Sequence, residues 1–299
     1  MRDARSSSAS NGPASVVAVI RVDRLIRLIR MIVPPPLCLH PPEGVRRRAY
    51  RAECTACGSY WDLESLNARV TYDESYPERR GHFDPIVGAL KVRTLRRWLR
   101  VANVSISGKT VCEVGFGGGS CIPFLSTEAQ HVIGLEVNQS AIDRVRATAM
   151  SAELLCVIPL PAPSRLVDLW LFQDSFEHIP DPATFVEWMR LHSAPNAEIL
   201  MVLPRADSTS RRLLGRYWPH KLPDHEFHWS RAGLVDFFAR SGFGVRREFF
   251  PLKFASPQMI LAHGLHKLGV AGARELLSGL PMSIPLNFGE LGVVLARRA

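Results

Sequence analysis

The 299-residue sequence lacks an uninterrupted apolar run long enough to cross a lipid bilayer. Its first apolar segment, VVAVIRVDRLIRLIRMIV, is broken by an arginine at every third position from Arg21 to Arg30. A disulfide framework is lacking as well, because the six cysteines are scattered along the chain. These absences argue against a membrane-spanning or a disulfide-stapled secreted protein, and they favour a globular protein with reduced thiols in the cytoplasm.

No nucleic-acid-binding motif accompanies the basic charge of the chain. Lysine and arginine outnumber aspartate and glutamate by 37 to 28, which gives a net charge of +9. The arginines gather in the first hundred residues and at the C-terminal end instead of forming one recognisable motif. This distribution argues against a dedicated nucleic-acid role, although the basic balance motivates RNA as a rival partner.

Composition divides the chain into three parts. Residues 1–36 are rich in serine and arginine. They predict a poorly ordered extension, with a transit-like or membrane-surface amphipathic segment as the alternative. The proline cluster VPPPLCLHPP, residues 33–42, marks a boundary. A small segment over residues 37–80 follows, and residues 81–299 form the main domain.

The small segment contains one Cys-x-x-Cys knuckle, formed by Cys54 and Cys57. Zinc sites use such knuckles in pairs, because a closed tetrahedral site needs four ligands. Upstream, only Cys38 and His40 are available. The sequence therefore favours a turn with two thiols over a zinc site at Cys54 and Cys57.

From residue 85 onward, apolar strands alternate with amphipathic helices. DPIVGALKVRTLRRWLR predicts a helix, whereas KTVCEV, HVIGLEV, ELLCVI, VDLWLF, AEILMVLP and ELGVVLARR predict strands. Strands that are apolar along most of their length indicate a parallel sheet covered by helices on both faces. The expected fold is α/β, a doubly wound, mostly parallel sheet with its ligand at the carboxyl ends of the strands.

The first strand of this domain runs into a glycine-rich loop, Glu113-Val-Gly115-Phe116-Gly117-Gly-Gly119. Bare backbone at a strand end lets a ligand lie directly on the main chain. A dinucleotide fingerprint would need a third glycine where Ser120 stands, and a phosphate-binding loop would need Gly-Lys-Ser/Thr. The acid Glu113 suits a cationic amino group better than a pyrophosphate, so the loop predicts a cradle for a cofactor of another kind.

A second acid, Glu136, ends the next predicted strand, nineteen residues after Gly117. A carboxylate fixed there can accept both hydroxyls of a ribose. A solvated strand end is the alternative for Glu136 alone, and the neighbouring loop favours the ribose.

These segments resemble the class I S-adenosylmethionine-dependent methyltransferases, from about residue 70 to the end of the chain. The loop from Glu113 to Gly119 is similar to their first motif, and Glu136 to the acid that holds the cofactor ribose. LPAPSRLVDLWLFQDSFEHIPDP and PDHEFHWSRAGLVDFFARSGF are similar to later segments of small-molecule methyltransferases of the ubiquinone-biosynthesis and secondary-metabolite or glycan-cluster types. The resemblance implies a seven-stranded Rossmann-like sheet and S-adenosylmethionine as the methyl donor. The knuckle and the YDESYPERRG that follows are similar to a subset with a small zinc ribbon, but the first Cys-x-x-Cys is missing here.

Candidate catalytic residues follow the fourth strand of the domain. His178 titrates in the range useful for removing a proton from an acceptor hydroxyl, with a structural histidine as the alternative. Gln173 and Asp174 are candidates for the methionine end of the cofactor. Asp174, Glu177 and His178 together resemble the divalent-cation ligands proposed for ubiquinone-type enzymes, which makes magnesium a minor hypothesis. His220, His225 and His228, with Trp218 and Trp229, predict a substrate-facing lid rather than a metal site.

The sequence thus predicts a methyltransferase that acts on a small-molecule or carrier-linked acceptor at oxygen, carbon or nitrogen. An RNA or protein methyltransferase is the rival motivated by the basic charge. A catalytically inactive cofactor-binding scaffold is the third possibility, because Cys156 stands where related enzymes place an acid near the adenine and because the knuckle is incomplete.

Overall fold

The computed structural model describes residues 40, 44–48, 51–63, 65, 83–148, 151–225, 227–257, 260–261 and 283–298. The expected extension over residues 1–36 and the YDESYPERRG segment lie outside them. The strands are β1 Val45–Arg48, β2 Arg51–Cys54, β3 Tyr60–Asp62, β4 Thr110–Val114, β5 His131–Glu136, β6 Glu153–Cys156, β7 Val167–Gln173, β8 Ser193–Pro204, β9 Phe227–His228, β10 Phe243–Phe249, β11 Lys253–Ala255, β12 Ile284–Leu286 and β13 Glu290–Arg297. The α-helices are α1 Pro85–Ala102, α2 Ile122–Glu128, α3 Gln139–Arg146, α4 Pro182–Leu191, α5 Thr209–Leu214 and α6 Arg231–Arg240.

A seven-stranded sheet forms the centre of the molecule, in the order β10-β13-β8-β7-β4-β5-β6. Strands β6, β5, β4, β7 and β8 are parallel, and β13 runs antiparallel to both β8 and β10. The predicted mostly parallel, doubly wound α/β sheet is therefore confirmed. The resemblance implied a seventh strand, but the apolar pattern did not indicate β10, because its sequence FGVRREF carries too few apolar residues for a buried strand.

The two faces of the sheet bury separate apolar clusters. Along β7, Leu169 and Leu171 join one cluster, whereas Trp170 and Phe172 join the other. This alternation follows from the strand geometry, which points successive side chains to opposite faces. Helices α1, α2 and α3 cover the first face, and α4 and α6 cover the second. Because both faces are buried, nearly every position of the inner strands must be apolar.

Side-chain caps fix where several helices begin. Asp84 accepts hydrogen bonds from the first backbone N–H groups of α1, and Asn138, Asp181 and Ser208 do the same for α3, α4 and α5. Ser230, predicted as a cap, accepts a bond from the Gly233 N–H at the start of α6. These caps satisfy backbone donors that have no partner inside the helix. The predicted cap at Ser230 is therefore observed, whereas α5 is a helix that the sequence pattern did not predict.

A second sheet joins the N-terminal segment to the main domain, in the order β1-β2-β3-β9. Its first three strands come from residues 45–62, and the fourth, β9, comes from the segment before α6. Tyr60 pairs with His228 in the register, and their rings stack 4.6 Å apart. The knuckle region is thus hydrogen-bonded to a distant part of the chain, through a pairing that the sequence pattern did not indicate. None of the described helices is long and apolar enough to span a membrane.

Candidate functional site

The glycine-rich loop lies at the carboxyl end of β4, between β5 and β7. Gly115 has a φ of +73°, a left-handed conformation that side-chain-bearing residues rarely adopt. A Cβ atom added at Gly115 would lie 2.8 Å from the Cβ of Ser175, and one at Gly119 would lie 2.6 Å from both γ carbons of Val145. The loop therefore needs glycine at these positions for backbone conformation and for close packing.

Glu136 is held against this loop at the end of β5. One carboxylate oxygen, Oε2, accepts a 2.8 Å hydrogen bond from the Gly117 N–H. The other, Oε1, accepts bonds from the backbone N–H groups of Val137 and Asn138. Three main-chain donors thus fix the carboxylate in one orientation beside the loop. Such preorganisation is what a group that binds a diol requires.

Glu113 is a buried carboxyl group beneath the loop. Its Oε1 accepts a 2.7 Å hydrogen bond from the amide of Gln173, whereas its buried Oε2 has no hydrogen-bond partner among the described residues. Burial raises the pKa of Glu113 to about 7, and the positive charge of Lys91 opposes part of that rise. An orphaned buried carboxylate oxygen can be satisfied by a cationic ligand.

The Phe116 ring belongs to the core rather than to an open binding surface. It is 3 % exposed, and a Cβ added at Gly134 would lie 2.7 Å from its Cδ1 atom. Any contact between Phe116 and a cofactor is therefore left to its main chain. Cys156 ends β6 opposite Glu136 in the strand register, so this thiol stands at the same sheet edge.

Asp174 terminates β7 in a left-handed conformation with a φ of +52°. A side-chain-bearing residue there costs about 1–2 kcal/mol and persists only where surrounding contacts enforce it. Lys253 supplies such a contact, because its Nζ lies 2.6 Å from Asp174 Oδ2 and 2.9 Å from Glu290 Oε1. His220 Nε2 lies 2.8 Å from the same oxygen of Glu290. An ionic chain therefore connects the end of β7 to the start of β13.

This chain shifts the pKa of both central members. Burial alone would lower the pKa of Lys253, but Asp174 and Glu290 outweigh it and raise the pKa above its usual value. Burial alone would raise the pKa of Glu290, but Lys253 and His220 outweigh it and hold the pKa well below the usual carboxyl range. Both groups remain charged at neutral pH.

Glu177, His178 and His225 form a compact cluster just beyond Asp174. One carboxylate oxygen and one nitrogen from each ring lie within 4.8 Å of one another. Glu177 is 1 % exposed, and no other residue that the structure describes donates a hydrogen bond to either of its oxygens. Burial raises the pKa of Glu177 well above its usual value, and the negative charges of Asp174 and Asp224 raise it further.

The comparisons with known proteins agree with this architecture. Residues 89–248, just over half of the chain, match the family model described as the methyltransferase domain. The chain belongs to this methyltransferase family. It is a class I S-adenosylmethionine-dependent methyltransferase, as the resemblance in the sequence implied.

Solved structures show the same fold at low sequence identity. The YcgJ protein from Bacillus subtilis aligns with a TM-score of 0.50 and 15% identity, over 69% of this chain and 99% of that chain. A complex of the Haloferax volcanii Trm112 methyltransferase activator with a methyltransferase aligns with a TM-score of 0.52 and 16% identity, over 76% and 96%. Among proteins with curated descriptions, none matches the sequence.

The histidines and tryptophans that were predicted as a substrate-facing lid lie mostly in the interior of the protein. Trp218, His225, His228 and Trp229 are each less than 5 % exposed, and Trp218 Nε1 donates a 2.7 Å hydrogen bond to the Phe288 carbonyl. They form a packed wall rather than an open flap. Burial lowers the pKa of His228 to about 3, with the charge of Arg211 as the next cause, so His228 is neutral at physiological pH.

The magnesium hypothesis required Asp174, Glu177 and His178 as neighbouring ligands. The structure groups Glu177 and His178 with His225 instead, and it engages both oxygens of Asp174 with Lys253. An ammonium group bound to a carboxylate competes directly with a cation for it. The predicted magnesium ligand set is therefore not supported. His225 was missed as a neighbour of Glu177, because it lies 48 positions away in the sequence.

A cavity of about 500 Å³ opens beside these elements, at the ends of β8 and β10. Arg205, Ser208, Phe249, Asn287 and Glu290 are among its lining residues. No residue of the glycine-rich loop lines it, so it is not the cofactor cradle. Its lining residue Glu290 is connected to Asp174 by the ionic chain through Lys253.

Proposed function

We propose that this methyltransferase transfers a methyl group from S-adenosylmethionine to a small or carrier-linked acceptor that binds beside Glu177 and His178. The observation that carries the proposal is Glu177, a buried carboxyl group whose two oxygens have no hydrogen-bond partner among the other described residues. It stands four residues after the end of β7 and two after Ser175, which packs against Gly115 of the glycine-rich loop. Buried polar groups are normally paired, and a bound acceptor would supply the pair.

The residues around the loop fit the donor. Glu113 would hold its cationic amino group, because the orphaned Oε2 lies buried beneath the loop. Glu136 would hold the ribose hydroxyls, and Gln173 and Asp174 would line the methionine end. The loop has a left-handed backbone at Gly115, Gly117 and Gly119, and these residues carry no side chain that would keep a ligand away from the main chain. When bound, the donor supplies an already activated methyl group, so the protein must mainly align the acceptor with it.

An acceptor hydroxyl would also have to lose a proton, and two groups are suited to take it. Burial raises the pKa of Glu177 well above its usual value, so this carboxylate accepts a proton more readily than an exposed glutamate does. His178 Nδ1 lies 2.8 Å from the Asp224 carbonyl oxygen, which can only accept a hydrogen bond. In the neutral ring the proton is therefore on Nδ1, and the basic lone pair is on Nε2.

Enclosure favours a small acceptor over RNA. His225 in the cluster and the neighbouring His228 and Trp229 are buried, and such an enclosed place suits a compact acceptor group better than an RNA strand. The charges that act on Glu177 are mixed, because Asp174 and Asp224 raise its pKa whereas Lys253 lowers it. The basic charge of the whole chain therefore does not by itself argue for a phosphate backbone at this cluster.

Transfer of a labelled methyl group tests the proposal. The purified full-length protein is incubated with labelled S-adenosylmethionine and either a small-molecule extract or RNA from the same cells. Label should enter the small-molecule fraction. Glu177→Gln should lower the transfer rate by about 100-fold or more, since general-base catalysis contributes about 10²–10⁴-fold.

The matched control is Glu187→Gln, the same change at a carboxylate on α4 that pairs with Arg190 on the surface. It should transfer methyl groups at the wild-type rate. Both variants should bind S-adenosylhomocysteine as the wild type does, measured by calorimetry. Label that enters only RNA or protein, or a Glu177→Gln variant with full activity, would contradict the proposal.

A further inference from the structure

The knuckle formed by Cys54 and Cys57 has a third side chain of a metal-ligating type beside it. A ring nitrogen of His40 and the sulfur atoms of Cys54 and Cys57 all lie within 4.8 Å of one another. Cys54 is 1 % exposed, and Cys57 and His40 are half-buried. Two thiols and an imidazole gathered in this way are the donor set that Zn²⁺ prefers.

The backbone around the knuckle is built as a tight turn. The Gly58 N–H donates a 2.8 Å hydrogen bond to the Cys54 carbonyl, and the Cys54 N–H donates one to the Ser59 carbonyl. Gly58 has a φ of +77°, which favours glycine at this position. The Thr55 N–H and hydroxyl both donate to the Gly44 carbonyl, at 2.8 and 2.7 Å. These bonds hold the chain just after His40 against the knuckle.

A carboxylate on α6 stands behind the histidine. His40 Nε2 lies 3.7 Å from Asp236 Oδ2, and the buried Nδ1 has no hydrogen-bond partner among the described residues. Histidine ligands of metals commonly present one ring nitrogen to the ion and direct the other to a carboxylate. The same Asp236 oxygen lies 2.9 Å from Arg240 Nε, so Asp236 gives His40 a nearby negative charge rather than a direct hydrogen bond. A metal ion at Nδ1 would supply the partner that this buried nitrogen lacks among the described residues.

We propose that His40, Cys54 and Cys57 bind one zinc ion, with Asp236 as a negative charge near the histidine. Both thiols would ionise on binding and release their protons to solvent. The fourth position of the tetrahedron would be taken by water or by a further side chain. Cys38, the other upstream residue considered from the sequence, lies outside the described residues.

The site would tie the small sheet to the main domain. A Cβ atom added at Gly233 in α6 would lie 2.9 Å from Cys57 Sγ and 2.2 Å from Ser59 Oγ, so the knuckle packs directly on this helix. The Ser230 N–H donates a 3.0 Å hydrogen bond to Ser59 Oγ at the same contact. Zinc would therefore stabilise the position of β3, β9 and His228 behind the acceptor cluster, without touching the donor site.

Metal content of the purified full-length protein tests this proposal. About one zinc per chain is expected for the wild type, and loss of that zinc is expected for Cys54→Ser, Cys57→Ser and His40→Gln. The matched control is Cys156→Ser, a half-buried cysteine outside the cluster, which should keep the metal. Asp236→Asn should weaken zinc affinity by up to about 10–100-fold, as loss of a carboxylate near a metal-ligating histidine does.

A second measurement keeps the test valid if a cysteine variant does not fold. Cobalt titrated into the metal-stripped wild-type protein should produce the thiolate-to-cobalt absorption band of a tetrahedral site. In a separate assay, zinc should slow the alkylation of Cys54 and Cys57 but not that of Cys156. S-adenosylhomocysteine binding should be nearly unchanged by chelation, whereas the melting temperature should fall. Wild type without zinc and without the cobalt absorption, or a Cys54–Cys57 disulfide in protein kept under reducing conditions, would overturn the proposal.

Discussion

Lys253 joins the carboxylates of Asp174 and Glu290, a role that its position in the sequence does not indicate. Replacing Lys253 by methionine should strongly lower the free energy of unfolding of the protein. The Lys253 Nζ atom bridges Asp174 and Glu290, at 2.6 and 2.9 Å, and the Glu290 side chain is 1 % exposed. At 2.9 Å the attraction between unit charges is about 6 kcal/mol for an effective dielectric constant of about 20. Part of this is offset by the cost of burying the ammonium group. Removing one partner of a buried pair typically costs about 3–5 kcal/mol, and this is the loss expected for Lys253→Met.

Lys109→Met is the matched control for this prediction. Lys109 Nζ also lies 2.9 Å from a glutamate oxygen, in Glu198, but this pair is more exposed. Glu198 keeps the permanent positive charge of Arg246 as a second partner, whereas Glu290 keeps the titratable ring of His220. Its loss should cost less than about 1 kcal/mol. The free energy of unfolding, measured by urea titration at pH 7, compares the two variants directly. Adding Glu290→Gln to Lys253→Met should recover part of the loss, because the double variant leaves no unpaired charge on Glu290. Equal losses in Lys253→Met and Lys109→Met would refute the reasoning.

Two further predictions concern protonation. The pKa of Glu113 is raised to about 7, and only its ionised carboxylate attracts the amino group of S-adenosylhomocysteine. The affinity for S-adenosylhomocysteine should therefore rise as the pH increases toward about 7, by up to about tenfold per pH unit. Calorimetry should show this slope in the wild type and in the exposed control Glu128→Gln but not in Glu113→Gln, and a slope retained by Glu113→Gln would contradict the assignment. For His228, the pKa in the folded state is about 3, below the ordinary value of 6.5. As the pH falls, the unfolded state therefore binds a proton before the folded state does. The free energy of unfolding should decrease between about pH 6.5 and pH 3, by about 1.4 kcal/mol per pH unit. His228→Phe should therefore lose about 3 kcal/mol less than wild type between pH 7 and pH 4.5 in urea titrations, and equal losses would show that His228 is not the group responsible.

Part of the candidate site could be predicted from the sequence, because the residues that indicate it lie close together along the chain. The glycine-rich loop follows an apolar strand within a few residues, and Glu136 ends the next strand. Parallel strands bring their carboxyl ends to one sheet edge, so residues at two strand ends are expected to meet once the strands are assigned. The Gly117 N–H to Glu136 bond is the contact that this geometry produces.

Other parts of the site depend on contacts that no local pattern encodes. His225 joins Glu177 across 48 positions, and Lys253 reaches Asp174 across 79. A single lysine in PLKFASP or a histidine in PDHEFHW carries no periodic signal that would select its partner. The same holds for His40, whose approach to Cys54 and Cys57 adds a third metal-ligating side chain to the incomplete knuckle.

The sequence alone determined the strand and helix pattern, the helix caps and the bare backbone of the loop, because each of these arises from the conformational preferences and periodicity of neighbouring residues. The tertiary structure decided which charged and polar side chains share a buried environment, and therefore which pKa values move. Those outcomes depend on desolvation and on charges only a few ångströms apart, and both exist only after distant segments have packed together.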